Sequence, residues 1–517
     1  MSARSGLFTR RRAGVLLHLS ALPGRHGVGG LGPEAVRFVD WCASAGLSLW
    51  QMLPVGPVGG GESPYSATSS FAGEPLFVSL EWLAEDGLLP RRGPLAPAAL
   101  ARGRARHAAA RAYQTPRLVA AFERFQAKTG ARSKRYRAFV RTSSAWLPGW
   151  CRFAAARSGQ GTAFHGFVQF VFAEQWQRLR AHAHARGVHL IGDLPIFATQ
   201  DSADVQDRPE LFRLGRGGRP RVVTGVPPDM FSSEGQLWGH PHYAWAAHRR
   251  EGFQWWIARV RTALERFDAL RIDHFVGLVH AYEIPGEAVS AKQGRWRPTP
   301  GRELLTAVRG ALGALPLIAE DLGNVTPAVV SLREDFGLPG MKLLHNAFYA
   351  EDHPDLPHHH PLAAVVYPGT HDNDTTRAWF ARLAPEFRAR FLRVTGADPR
   401  RPEQALVRMA WNSPARTAVV AMQDLLGLGA EARFNTPGTP EGNWRWRLAP
   451  GAASSVLAAD LRRLTADAGR LPDELRASSP ERQRNGPAPE RGPARWRCRA
   501  RAVPAGSCVG PCSSRGG

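Results

Sequence analysis

Short apolar runs alternate along the chain with longer stretches of helical period. The runs are Val15–Leu19, Leu49–Val55, Val188–Phe197, Ala269–Phe275, Leu315–Leu322, Met341–Leu344 and Ala363–Tyr367. They are mostly continuous rather than alternating, as strands buried on both faces are. Between them lie Pro33–Ala45, His165–Arg186, Gly252–Phe267, Glu303–Leu312 and Pro327–Phe336, each a helix candidate. Phe164–Phe172 is apolar on nearly every side, which predicts a buried helix start. Strand and helix alternating over most of the chain predict an α/β fold with a mostly parallel sheet. Closed, that sheet is a (β/α)8 barrel; open, it is doubly wound. No G-x-G-x-x-G follows a strand and no Walker motif occurs, so no nucleotide argument favours the open form.

Three stretches break the rhythm. Residues 85–161, Arg/Ala-rich from about Pro90 and without strand signal, read as an inserted helical subdomain, and 198–250 as a lid or loop insertion. From Leu471 the chain turns Pro/Gly/Ser/Arg-rich and nearly loses its large apolar residues. Such a composition buries too little surface to fold, so 1–470 is expected to carry the barrel and 471–517 to form a disordered tail.

Composition sharpens this picture. With 44% apolar and 21% charged residues over 517 positions, a disordered or collagen-like chain is excluded. The net charge of +23 points at first to a nucleic-acid or anionic-membrane partner. Only four of the 67 basic residues are Lys, however (Lys128, Lys134, Lys292, Lys342), a bias that charge alone does not require. The Arg are scattered and Trp496 is the only aromatic in the tail, so a nucleic-acid partner is not expected. Five Cys form no disulfide framework, and Cys508 and Cys512 lack further metal ligands at a suitable spacing. Arg10-Arg11-Arg12 before Ala13–Leu19 imitates a leader, but His18 interrupts the apolar stretch and no small-residue cleavage site follows. A buried strand is the better reading. No run reaches the ~20 apolar residues of a membrane span, and a soluble cytoplasmic protein is expected.

The chemistry sits where the runs stop. Asp193 follows Ile191-Gly192, Asp273 follows Arg271-Ile272, Glu320 follows Leu317-Ile318-Ala319, and His371-Asp372 follow Val366–Thr370. In barrels the C-terminal strand ends carry the active site. Four acids in register predict a shared carboxylate cluster. Arg271 and Asp273, two apart on a strand, share a face, so the guanidinium is expected to keep Asp273 ionised and lower its pKa, as suits a nucleophile. Glu320, after an apolar run or beside another carboxylate, is expected to have a raised pKa, as suits a general acid. The structural alternative for Arg271–Asp273 is an interior ion pair. Clustered acids and His also allow a metal, but adjacent residues of His358-His359-His360 should point apart into solvent, and no metal is expected. Among 16 Trp, Trp50, Trp238, Trp444 and Trp446 lie in Gly/Pro/Asn-rich settings and are candidates to stack on sugar rings or to be core.

The sequence resembles the bacterial 4-α-glucanotransferases (amylomaltase, or disproportionating enzyme), relatives of the α-amylases. The matching segments include Trp50-Gln51-Met52-Leu53-Pro54-Val55-Gly56-Pro57, Ser63-Pro64-Tyr65, Ile191-Gly192-Asp193-Leu194-Pro195, Gly225-Val226-Pro227-Pro228-Asp229, Arg271-Ile272-Asp273-His274-Phe275, Ala319-Glu320-Asp321-Leu322-Gly323, Gly369-Thr370-His371-Asp372-Asn373-Asp374-Thr375 and Gly442-Asn443-Trp444-Arg445-Trp446. They come in family order over roughly residues 13–465. The resemblance implies a (β/α)8 barrel with inserted subdomains, no C-terminal β-sandwich and no cofactor. It implies Asp273 as nucleophile, Glu320 as acid/base, and Asp372 with His371 on the hydroxyls of the transferred sugar. It further implies Arg271 orienting Asp273, Tyr65 stacking under the sugar, Asp193 binding it, Gln236 and Trp238 in a covering loop, and Asn435 nearby. The expected partners are maltooligosaccharides and a glucose or glucan acceptor, for a monomer or weak homo-oligomer. An α-1,4-glucan hydrolase, or an impaired maltooligosaccharide-binding protein, are the alternatives.

The chain departs from the family pattern at Gly60, Glu74, Met230, His240, His345-Asn346 and His359, and in a segment between Trp146 and Phe164 that is much shorter than in relatives.

Overall fold

The structure, a computed structural model, describes residues 6–91, 96–228, 233–439 and 441–476. Its strands are β1 (Arg12–Leu16), β2 (Leu49–Gln51), β3 (His189–Leu194), β4 (Val222–Val226), β5 (Gln236–Pro241), β6 (Ala269–Ile272), β7 (His280–Pro285), β8 (Arg295–Pro298), β9 (Leu317–Ala319), β10 (Gly340–Leu343), β11 (Ala364–Tyr367) and β12 (Thr417–Ala421). Eight of them pair in parallel in the order β10-β11-β12-β1-β2-β3-β6-β9. The two ends of this sheet meet where Ala319 N donates to Pro339 O at 2.9 Å, nearly closing a barrel.

Every residue of β1, β2, β6, β9 and β11 is buried. One face fills the barrel and the other is roofed by helices, so no polar alternation appears in these strands. Gly192 shows how tight the fit is: a Cβ there would run into the Phe267 ring. Each of the seven expected runs overlaps a barrel strand, five of them containing it whole, while β1 and β10 begin before their runs and several ladders stop early. Pro54 and Pro195 cannot donate to a neighbour, so Leu49–Val55 and Val188–Phe197 leave the sheet at Gln51 and Leu194. The eighth strand, β12, is absent from the expected set.

The expected helices form with boundaries shifted by a few residues, as in Thr162–Ala185. Its Phe164–Phe172 stretch is buried throughout, because barrel and added helices sandwich it. The added helices are His107–Lys128, Lys134–Thr142 and Leu147–Ser158. Phe125 meets Phe167 at 4.9 Å between ring centres, and Tyr136 meets Phe170 at 5.4 Å. Only Gly159-Gln160-Gly161 joins Leu147–Ser158 to Thr162–Ala185, with Gly159 at φ 70° closing the helix. A second sheet, antiparallel in the order β5-β4-β7-β8, is built from strands within 222–241 and 280–298. Its own small core is Val223, Tyr282, Ile284 and Ala291.

The end of the described chain is tied down. Arg470 is fully buried and donates to the carbonyls of Trp411, Arg12, Arg416, Ala410, Ser413 and Ala415. These groups surround the starts of β1 and β12. Leu475 is also buried, facing Gly187. Residues 471–476, disordered by composition, therefore pack on the barrel body. Residues 477–517, including Cys498, Cys508, Cys512 and Trp496, lie outside the described residues, as do Asp229 and Met230.

Candidate active site

At the C-terminal end of the barrel the candidate residues form one continuous network. Arg271, on β6, has a side chain only 3% exposed, and its Nη1 donates to Asp193 Oδ1 and Oδ2 at 2.9 and 2.8 Å. The same Nη1 reaches Asp273 Oδ1 at 3.0 Å, and Nη2 lies 3.7 Å from Glu320 Oε1. One guanidinium thus gathers acids from the ends of β3, β6 and β9.

His274 completes the arrangement through its backbone. It sits at φ 51°, ψ 51°, a left-handed conformation uncommon for a side chain other than Gly or Asn. That turn aims the His274 N–H at Glu320 Oε2. Trp238, on β5, packs edge-on against the His274 ring at 4.9 Å, and its Nε1 donates to Gln236 Oε1 at 3.1 Å. The antiparallel sheet thereby brings Gln236 and Trp238 beside the loop that carries Asp273 and His274.

The opposite wall comes from the loop after β11. Tyr65 Oη donates to Asp193 Oδ2 at 2.7 Å and lies 2.8 Å from His371 Nε2. A phenol has one proton and Asp193 takes it, so His371 Nε2 carries the hydrogen shared between Tyr65 Oη and Asp372 Oδ2, 3.2 Å away. The Tyr65 and His371 rings stack at 5.3 Å. Asn435 Nδ2 donates to Asp372 Oδ1 at 2.6 Å.

The electrostatics differ from the sequence expectation at one residue. Burial pushes Glu320 up, to about 8; Arg271 opposes the rise and Asp273 adds to it. Asp273 also goes up, to about 6, whereas the Arg271 neighbour alone was expected to lower it. Burial is the largest cause, and the Asp193 and Asp372 carboxylates add to it against Arg271. Neither acid is sealed, with 27% of the Asp273 and 17% of the Glu320 side chain exposed in the cleft. Asp372 moves the other way. Burial works to raise it, but the His371 charge and the hydrogen bonds from His371 and Asn435 prevail and hold it below the usual carboxylate range.

Other candidates have different roles. Trp50 is fully buried with its Nε1 on Leu17 O at 2.8 Å, so it is core and no sugar platform. Trp444 is buried behind Tyr65 and His371, backing the wall. Arg433, unmarked in the sequence because Arg is everywhere, donates to Asn435 O at 2.8 Å and Asp372 O at 3.2 Å and ties the wall together.

Comparison with known proteins places the chain in a family. The family model described as 4-alpha-glucanotransferase matches residues 17–163 and 156–453. The 4-alpha-glucanotransferase of Thermus thermophilus is 42% identical over 500 residues, covering 89% of this chain and 99% of that protein. The chain belongs to the 4-alpha-glucanotransferase family. The chloroplastic/amyloplastic 4-alpha-glucanotransferase of Solanum tuberosum is 38% identical over 502 residues, covering 89% and 87% of the two chains. Amylomaltase from Streptococcus agalactiae, solved in complex with acarbose, superposes with a TM-score of 0.84 at 31% identity, covering 89% of this chain and all of that one. The two family matches overlap at 156–163, where the three-residue turn stands in this 4-alpha-glucanotransferase.

Proposed function

We propose that this 4-alpha-glucanotransferase moves a segment of an α-1,4-glucan to the 4-hydroxyl of an acceptor glucan or glucose by retaining double displacement. Asp273 attacks the anomeric carbon while Glu320 gives its proton to the glycosidic oxygen. The C1–O4 bond breaks, the leaving chain departs with a 4-hydroxyl, and a β-glucosyl ester remains on Asp273. An acceptor 4-hydroxyl then gives its proton to the Glu320 carboxylate and its oxygen attacks C1. The ester breaks, Asp273 is regenerated as carboxylate, and the α configuration returns.

The observation that carries this reading is the Arg271 guanidinium shared by Asp193, Asp273 and Glu320. Hanging both reacting acids from one group favours the close spacing of about 5–5.5 Å that retaining pairs use. The raised Glu320 holds a proton near neutrality, and Asp273, nearer to water, is the first of the two to ionise. Asp372, kept ionised, faces positive charge developing at C1, while His371, Tyr65, Asp193 and Asn435 grip the hydroxyls of the same sugar. Gln236 and Trp238 cover the acceptor side, where excluding water favours transfer over hydrolysis.

The protein acts in this reading as a cytoplasmic monomer or weak homo-oligomer without a nucleic-acid partner. Cys42 and Cys151, both buried and unpaired, fit a reducing compartment. No described helix is long and apolar enough to cross a membrane.

Maltotriose tests the proposal. Transfer yields glucose and longer maltodextrins with the number of reducing ends unchanged. Asp273→Asn removes this activity, and Glu320→Gln lowers it by about 10²–10⁴-fold. Reducing ends growing in step with cleavage would make the protein a hydrolase, and maltotriose binding without turnover would make it a binding protein.

A further inference from the structure

In the run His358-His359-His360 the first two side chains reach solvent and the third turns away, as the sequence suggests, but the first two do not point apart. A short 3-10 turn, Pro357–His359, aims two adjacent rings at one acceptor. His358 Nε2 lies 3.1 Å and His359 Nε2 2.5 Å from the same Asp352 Oδ1, and the two rings are 4.1 Å apart. All three side chains stand at the surface. His360 turns the opposite way and is buried, with Nδ1 2.8 Å from Ser413 Oγ and Nε2 2.9 Å from Asp355 O. Asp355 is held in turn by Asn346 Nδ2 at 3.2 Å and Lys342 Nζ at 3.4 Å, and its N–H donates to His353 Nδ1 at 3.1 Å. The loop is thus fixed from beneath while three ligand atoms converge above it.

We propose that Asp352, His358 and His359 form a binding site for a divalent transition-metal ion of the zinc, nickel or copper class. Two imidazoles and one carboxylate suit these ions, whereas magnesium and calcium need more oxygen ligands than the site offers. The three ligand atoms lie within 4.8 Å of one another. Drawing them to about 2.0–2.2 Å from a common ion takes only side-chain rotation and leaves water in the remaining positions. Hydrogen bonds between exposed groups contribute little by themselves. A bound cation supplies what would hold two imidazoles against one carboxylate oxygen.

A second group, His184, His189 and Asp268, provides the contrast. Asp268 there is already neutralised by Arg180 Nη2 at 2.7 Å and accepts the Leu190 N–H at 2.9 Å. A divalent ion would have to displace a guanidinium.

The test uses the full chain without a polyhistidine tag, stripped with EDTA and dialysed. Zinc is titrated against a chromophoric chelator, and cobalt is followed by its visible spectrum. About one zinc per chain is expected with micromolar affinity. His358→Ala, His359→Ala and Asp352→Asn should each weaken binding by at least about tenfold and remove the cobalt spectrum. His184→Ala, and Cys508→Ser with Cys512→Ser, should leave both readouts unchanged. No zinc bound at micromolar concentration, or zinc binding that survives joint replacement of His358 and His359 by Ala, overturns the proposal.

Discussion

Replacing Arg271 by Met keeps much of the side chain's length while removing the cation that three carboxylates share. A unit charge pair about 4 Å apart at an effective dielectric of about 20 is worth about 4 kcal/mol. The Asp273 side chain is 27% exposed, and water in the cleft screens part of that energy. Half of it, about 2 kcal/mol, corresponds to roughly 1.5 pKa units. Losing a cation disfavours the ionised carboxylate, so Asp273 moves upward from about 6 to roughly 7.5. Glu320, farther from the guanidinium at 3.7 Å, rises from about 8 by less. The nucleophile reacts only when ionised, so the acidic limb of kcat/KM should shift up by roughly 1.5 units. At about pH 6 this alone costs roughly fifteenfold in rate, and near pH 8 very little. The assay is the initial rate of glucose release from maltotriose across about pH 5 to pH 9. Arg271→Lys restores charge without the planar fork and should return the limb most of the way. Asp193, with no side-chain exposure, is left unpaired in the Met variant, which costs about 3–5 kcal/mol of stability. Thermal unfolding therefore accompanies each rate. A uniform loss of rate with both limbs in place would refute the electrostatic role and leave Arg271 a matter of shape.

The unaltered enzyme should itself show a bell-shaped kcat/KM, rising as Asp273 ionises near pH 6 and falling as Glu320 loses its proton near pH 8. The two limbs belong to the interacting pair, and an alkaline limb that is absent below about pH 9 would contradict a proton-donating Glu320 titrating in this range. Ending the chain after Arg476 should preserve folding and activity. Ending it before Arg470 strips donors from six carbonyls and should lower the melting temperature, at about 1 kcal/mol per lost buried hydrogen bond. Equal melting temperatures for the two truncations would remove that structural role. Arg433→Ala frees the Asn435 and Asp372 backbone and should lower kcat/KM by about 10- to 100-fold. Its pH limbs should stay in place, because its bonds to the wall run to the Asn435 and Asp372 carbonyls and not to the Asp273 or Glu320 carboxyls.

The barrel was legible because parallel strands buried on both faces read as unbroken apolar runs. β12 escaped because Ala418-Val419-Val420 is short and sits in an Ala-rich chain. The antiparallel sheet escaped because β5 and β8 are largely half-exposed or exposed and carry His, Arg and Gly. The acids announced themselves at strand ends, but the state of Asp273 depends on Asp193 and Asp372, neighbours only in space. Trp50 stood in an expected apolar run, but its Gly/Pro-rich surroundings also allowed a sugar platform, and only its burial in β2 decides for core. The tail boundary moved because composition cannot show that a single Arg470 is enclosed by carbonyls.

The central claim is that Asp273 forms a glucosyl ester that Glu320 then helps to break. α-Maltosyl fluoride tests it most directly, because fluoride leaves without a proton while the second step still needs the base. Mixed with Glu320→Gln enzyme and digested, it should leave one maltosyl unit on the peptide that contains Asp273, detected by mass spectrometry. An adduct on another residue, or turnover of the fluoride by Asp273→Asn enzyme at the rate of the unaltered protein, would contradict the account.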